Sequence, residues 1–307
     1  MEPERILLTG GSGFVGGHLS HALQQAFPNA TVHAGGVDVT DRTALTSVVR
    51  DVRPDACIHL AAVSALRQAR RDPDQAWQVN LHGTLNLASA ILAEAPGCVF
   101  LFVSSADAYG ASFRAGRPLD ESAPLAPMNP YAASKAAADL AVGALAADGL
   151  RAVRLRPFNH TGPGQSAEFV VAGIAEQIAR IGAGLQPPAL RIGALDPQRD
   201  FLDVRDVCAA YIACLRHAAA LAPGTVINIA SGTPRSVRSI LDTLLALGGI
   251  EATIETDPAR LRGSDIPLAC GDAARAHSLL HWQPRIAWEQ TLRDTLAYWQ
   301  GRVRQTG

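Results

Sequence analysis

The chain has 307 residues, 48% of them hydrophobic, with a formal net charge of −1. That length and apolar content suit one large α/β domain, or one with a smaller appended lobe. The near-zero charge gives no overall electrostatic case for nucleic acid or an anionic membrane. No apolar stretch reaches the roughly 18 residues of a membrane span, so the expected location is the cytoplasm.

The first strand is expected at Arg5–Thr9, which leaves no room for a signal peptide ahead of it. Gly10-Gly11-Ser12-Gly13-Phe14-Val15-Gly16 follows at once and opens a helix over Gly13–Ala26. In this GxxGxxG loop Gly10 allows a tight turn, Gly13 lets a pyrophosphate reach backbone N–H groups, and Gly16 lets helix and strand pack closely. Its strand–loop–helix placement predicts a dinucleotide site that includes Phe14 and Val15. The second strand, Thr31–Ala34, ends in His33-Ala34-Gly35-Gly36, without the acid that usually receives the ribose. No arginine pair replaces it for a 2′-phosphate, so NAD and NADP both fit. Asp38, beside Val39, is a candidate acceptor for the adenine amino group; its alternative reading is an acid at the start of the helix Asp41–Val52.

Strands at Ala56–Leu60, Val99–Ser104 and Ala152–Arg156 alternate with helices at Trp77–Glu94 and Tyr131–Ala147, the pattern of βαβ units and a parallel sheet. The five cysteines, Cys57, Cys98, Cys208, Cys214 and Cys270, have neither CxxC nor Cys/His ligand spacing, which predicts buried thiols and no metal site. Beyond Pro157 the alternation breaks at Gly162-Pro163-Gly164 and Gln186-Pro187-Pro188, and a strand at Thr225–Ala230 is expected to rejoin the sheet. The predicted fold is therefore α/β: a Rossmann-type, doubly wound parallel sheet with a smaller C-terminal lobe. Residues 1–160 and about 196–230 form the dinucleotide domain; about 161–195 and 231–307 form the substrate lobe, closing over the strand ends.

Tyr131 and Lys135 stand four apart on one helix, hence on one face. An ammonium there should lower the phenol pKa toward working pH and make Tyr131 a proton donor or acceptor. By itself this spacing more often marks a solvated helix face; the upstream glycine loop reverses the odds. Ser105, at the end of the fourth strand, can share a substrate oxygen with Tyr131, although a bare Ser-Ser pair is more often turn chemistry.

GGSGFVG, His59-Leu60-Ala61-Ala62, Trp77-Gln78-Val79-Asn80, Ser104-Ser105-Ala106-Asp107-Ala108-Tyr109-Gly110, Tyr131–Lys135 and Arg156-Pro157-Phe158-Asn159, in this order, resemble the extended short-chain dehydrogenase/reductase family over nearly the whole chain. The resemblance implies Ser105, Tyr131 and Lys135 as catalytic residues, NAD or NADP as cofactor, and Leu60, Ala61, Ala62, Asn80, Lys135 and Pro157 along the cofactor channel. The second half resembles members that act on nucleotide-diphosphate sugars. Gln198–Asp206 matches a motif whose arginine, Arg199, contacts the nucleotide, and Pro258–Asp265 a motif whose Arg262 clamps the diphosphate. The nearest of these members reduce the 4-keto group of a GDP-linked 6-deoxyhexose, which implies a GDP-sugar substrate positioned by Asp107, Asn159, Gln165, Arg199 and Arg262, with rhamnose-type and talose-type products both compatible.

Asp107 stands where 4,6-dehydratases of the family carry the glutamate that removes the C5 proton. A dehydratase or 4-epimerase is thus the rival chemistry, while Asp, one methylene shorter, suits hydrogen bonding to the sugar or to Ser105. His160 reads as a strand-end histidine held by hydrogen bonds rather than a second acid/base. A non-catalytic dinucleotide sensor is disfavoured because all three members of the triad are present, and a hydrolase because no Gly-x-Ser-x-Gly elbow occurs. Relatives pair through helices matching about 77–94 and 131–147, which implies a homodimer.

Overall fold

The computed structural model describes residues 2–258 and 266–306. Its centre is a six-stranded sheet built from β1 (Arg5–Thr9), β2 (Thr31–His33), β3 (Ala56–His59), β4 (Val99–Val103), β5 (Ala152–Pro157) and, after the short strands β6 (Asn159–Thr161), β7 (Ala189–Ile192) and β8 (Gln198–Asp203), β9 (Thr225–Ile229). Strand order is β2-β1-β3-β4-β5-β9, every pair parallel. Such strands are apolar on both faces because helices cover both. Ile6, Leu8, Ile58, Leu101 and Leu155 pack toward α1 (Phe14–Ala26) and, across it, α8 (Val204–His217). Leu7, Cys57, Phe100 and Phe102 pack against α2 (Arg42–Val52), α5 (Gly83–Glu94) and α6 (Pro130–Ala147) on the other face. Fully burying each phenylalanine contributes roughly 1.5–3 kcal/mol. β2 lies on one side of β1 and β3 on the other, so the chain reverses direction between β1 and β3, where such sheets bind ligands.

Local signals set the helix starts. Asp41 caps α2 by accepting from the Ala44 N–H at 2.9 Å, and Asn129 caps α6 by accepting from Ala132 at 2.8 Å, with Pro130 in the first turn. The continuous helix expected over Trp77–Glu94 is divided. After α3 (Leu66–Arg71) comes α4 (Pro73–Trp77), then a π-helical turn over Gln78–His82, then α5. The turn brings Asn80 wholly inside, with its amide engaged by neighbouring elements.

The smaller lobe combines β10 (Pro234–Ser236), β8 and β12 (Leu268–Ala269) in one sheet, with β6 also paired to β8; β11 (Thr253–Thr256) pairs with β7. Its core lies between α7 (Val170–Gly182), α9 (Val237–Gly248) and α11 (Trp288–Thr306), through Ile174, Ile178, Ile240, Leu244 and Leu292. Residues 198–203 pair with β6, β10 and β12, with Leu202 packed into the main core and Phe201 into the lobe core. α10 (Ala274–Leu280) lies on the main domain: Ala276, Leu280 and Trp282 pack into the main core beneath α8.

Candidate active site

The glycine loop crosses the carboxyl end of β1 at the reversal. Gly10 has a φ of 73°, and a Cβ on it would lie 2.7 Å from the Ala61 nitrogen. The loop therefore rests directly on Leu60-Ala61, and Ala62, which follows, is half-buried. A Cβ on Gly16 would lie 2.2 Å from the Gly10 oxygen, so α1 approaches the loop as closely as only glycine permits. Gly13 spends its own N–H on the Gly10 oxygen at 3.1 Å, which leaves Phe14 and Val15 to open the helix. α1 has no side-chain cap and no acidic residue in its first turn. Its positive end is available to an anion, and the residues present fit a dinucleotide pyrophosphate.

Asp38 is exposed and folds onto the following turn, accepting from the Thr40 N–H at 2.9 Å and hydroxyl at 2.7 Å, bonds that hold its carboxyl below the usual range. The helix-capping role belongs to Asp41 instead. Val39 is buried, and Gly83 leaves room for its side chain.

Ser105, Tyr131 and Lys135 converge at the carboxyl end of β4. Ser105 is buried and accepts from the Asp107 N–H at 3.1 Å, and its hydroxyl lies near enough to Tyr131 to pull that phenol's pKa down. The spacing predicts a lowered phenol pKa for Tyr131, and the structure gives the opposite. Burial first, then the nearby Asp107 carboxylate, push its pKa well up, against the smaller opposing pull of Ser105. Lys135 is engaged elsewhere: its ammonium donates to the Val103 oxygen and lies 4.6 Å from the centre of the Phe102 ring. Burial brings Lys135 down to about 7, partly offset by Asp139. The two groups share a helix face, yet burial governs the pKa of each.

Beneath the site a buried polar network joins His59, of the His59–Ala62 motif, and Asn80, expected along the cofactor channel, to Thr9, Thr84 and Ser134, which the sequence did not single out. His59 is buried and held neutral, its pKa forced down to about 3 by burial and then by Lys135. Thr84 gives its hydroxyl proton to the Asn80 oxygen at 2.7 Å, so His59 Nε2 must donate to Thr84 at 3.0 Å. Nδ1 then accepts from Thr9 at 2.6 Å. Asn80 uses its whole amide: its oxygen accepts from the Val63 N–H at 2.8 Å, and its nitrogen donates to the Val63 oxygen and the Ser134 hydroxyl. Ser134 bonds the Tyr131 carbonyl at 2.8 Å. Asn80 thus orders the segment after β3 and the helix that carries Tyr131.

One turn beyond Lys135, the buried Asp139 accepts from Arg156 Nε and Nη2, each at 2.9 Å, and from Arg154 Nη1 at 3.1 Å. Against the upward push of burial, the arginines hold its carboxyl below the usual range. Arg156 also donates to the Tyr109 hydroxyl at 3.0 Å, which donates to Asn228 on β9 at 2.7 Å. The arginine of the Arg-Pro-Phe motif is therefore an internal brace, and Pro157 closes β5 opposite Ile229.

On the lobe side, Asn159 is exposed on β6, and Arg199, half-buried on β8, donates to the Gln198 oxygen at 2.8 Å. Gln165 is buried, accepting from Thr161 at 2.7 Å and donating to the His160 oxygen at 2.9 Å. Asp107 is half-buried beside Ser105. Arg262 lies outside the described residues. Among the described residues no cluster has metal-ligand character, and no helix is long and apolar enough to cross a membrane.

This fold and site define an extended short-chain dehydrogenase/reductase. The family described as GDP-mannose 4,6 dehydratase matches residues 25–295, and the chain belongs to it. It is 41% identical over 305 residues to GDP-6-deoxy-D-mannose reductase of Pseudomonas aeruginosa, covering 98% of this chain and 99% of that protein. The solved structure of RMD from Pseudomonas aeruginosa complexed with NADPH superposes with a TM-score of 0.88 at 38% identity, over 97% of this chain and 98% of that one. GDP-6-deoxy-D-talose 4-dehydrogenase of Aggregatibacter actinomycetemcomitans is 30% identical over 282 residues, covering 90% of this chain and 91% of that protein.

Proposed function

We propose that this protein reduces the 4-keto group of a GDP-4-dehydro-6-deoxyhexose, forming a GDP-6-deoxy-D-mannose (GDP-rhamnose) product. The observation that carries this reading is the Ser105–Tyr131 hydroxyl pair above a buried Lys135, in a chain matched over nearly its full length by a GDP-6-deoxy-D-mannose reductase. A bound NADPH or NADH supplies the hydride to sugar C4; the first turn of α1, with Gly10, Gly13 and Gly16, and the segment Leu60–Ala62 would hold it. Ser105 orients the carbonyl oxygen. Tyr131, kept protonated by burial and Asp107, gives its proton to the oxygen as negative charge develops there. Lys135, bonded to the Val103 oxygen at the end of β4, would hold the ribose. Asp107, Asn159 and Arg199, with Arg262, position the sugar nucleotide, and Gln165 shapes the strand that carries Asn159.

The assay is loss of the nicotinamide absorbance band on mixing the protein, NADPH and a GDP-4-keto-6-deoxyhexose. No loss there, together with release of a 4-keto sugar from GDP-mannose, would replace the reductase by a dehydratase, the reaction that the carboxylate of Asp107 would serve.

The working form is proposed to be a cytoplasmic homodimer. α5 and α6 are apolar around most of their circumference, and Leu140 on α6 is 61% exposed, so their outer faces want a cover. All five cysteines are free and buried, as suits a reducing compartment.

A further inference from the structure

The glycine loop is fastened to the far side of the cleft by contacts that neither the triad nor the cofactor cradle explains. Phe14, the first residue of α1, lies parallel to the His160 imidazole, with ring centres 6.4 Å apart and planes 7° apart. His18, one turn later, meets Phe14 edge-on at 5.5 Å. Its Nε2 donates to the Pro163 oxygen at 2.8 Å, across a sequence separation of 145 residues. The receiving segment is itself stiff. His160 Nδ1 donates to the Phe158 oxygen at 2.9 Å, and Gln165 ties back to the His160 oxygen. The helix end fitted to the pyrophosphate and the segment that carries Asn159 are therefore packed against each other.

We infer that His18 is a positioning residue for the nucleotide-sugar site: through Pro163 it holds Asn159–Gln165 against α1 and so couples dinucleotide binding to sugar-nucleotide binding. This rests on the reading of the substrate given above. The physical reason is linkage. An anion seated on the first turn of α1 steadies Phe14 and His18, and with them the segment they grip. A sugar nucleotide then finds its contacts already ordered, and by reciprocity its binding tightens the cofactor. His18 touches no member of the triad and meets the cradle only through the Phe14 ring, so its removal should loosen the coupling and spare the chemistry.

The test compares the wild type with His18→Ala and His18→Gln, whose side-chain amide can donate in place of the imidazole. Hydrogen exchange at residues 159–165 is followed with and without NADPH, and GDP affinity is measured in both states. In the wild type, NADPH should slow that exchange and tighten GDP binding by about fivefold or more, the usual range of such couplings. His18→Ala should lose both effects and raise KM for the 4-keto sugar while kcat stays near wild type; His18→Gln should restore them. Unchanged coupling in His18→Ala, no NADPH effect in the wild type, or failure of His18→Gln to rescue would each overturn the inference. Because the exchange experiment uses NADPH alone, it judges the link even if GDP proves not to bind, an outcome that would count against the substrate reading instead.

Discussion

A phenol held above its ordinary pKa by burial and a neighbouring carboxylate keeps its proton until a stronger base arrives. A new alkoxide is such a base, whereas bulk water at neutral pH is not. Tyr131 is thereby biased toward the reductive direction, where it starts as an acid. Tyr131→Phe should lower kcat about 10²–10⁴-fold, the usual worth of a general acid, while the NADPH dissociation constant, read by nicotinamide fluorescence, stays close to wild type. Unimpaired turnover would remove Tyr131 from the mechanism. Lys135 shows the opposite side of burial. Its folded pKa of about 7 lies below the ordinary 10.5, so between those values the unfolded chain binds the extra proton. Stability should therefore rise with pH across that window and be flat below it. Lys135→Met should be inactive, yet more stable than wild type at pH 7, by on the order of a few kcal/mol, with the gap closing by pH 10. Urea midpoints at the two pH values measure this; a variant less stable than wild type at pH 7 contradicts it.

Helix α6 is the element on which these side chains are spaced. Tyr131, Lys135 and Asp139 occupy successive turns, facing in turn the site, the end of β4 and the arginines of β5. Removing the charge of Asp139 strands two guanidinium groups in the interior. Asp139→Asn should cost about 3–5 kcal/mol of unfolding free energy by urea denaturation; a loss under one would mean that water reaches the pair. Much of this element was legible in the sequence. Its cap, its start and its Tyr–Lys face follow from Asn129-Pro130-Tyr131 and a four-residue spacing. The partner of Asp139 was not, because Arg154 and Arg156 alternate along a strand and only the sheet's position decides which face meets the helix. The π-helical turn was equally hidden, since Gln78-Val79-Asn80-Leu81-His82 has ordinary helical composition. The phenol's pKa was misjudged for a similar reason: spacing reveals a neighbour but not how little water reaches it.

At the scale of the whole molecule, a buried carboxylate ties the end of β9 to the smaller sheet. Asp200 on β8 accepts from the Ser231 N–H at 2.8 Å, the Gly232 N–H at 2.9 Å and the Gly271 N–H at 3.3 Å, gathering β8, the turn before β10 and the end of β12. Burial raises its pKa despite these bonds. The parallel sheet was readable because strands and helices recur in a regular alternation. The lobe was less so, because its strands are short and its membership is set by what they cover. Assembly belongs to this scale too. If α5 and α6 form the covered face, Leu140→Asp should halve the sedimenting mass without unfolding the protomer. An unchanged mass would place any dimer elsewhere, and a wild type that sediments as a monomer would remove the dimer.

The π-helical turn also fixes a rotational phase. Each residue advances an α-helix by about 100°, so the extra residue in Gln78–His82 sets how α4 and α5 are rotated against each other. Deleting one residue there would smooth the helix and improve its local hydrogen bonding, yet it would swing either Asn80 or the apolar face of α5 away from its partners. The length of this helix is thus as much a part of the site as any side chain on it.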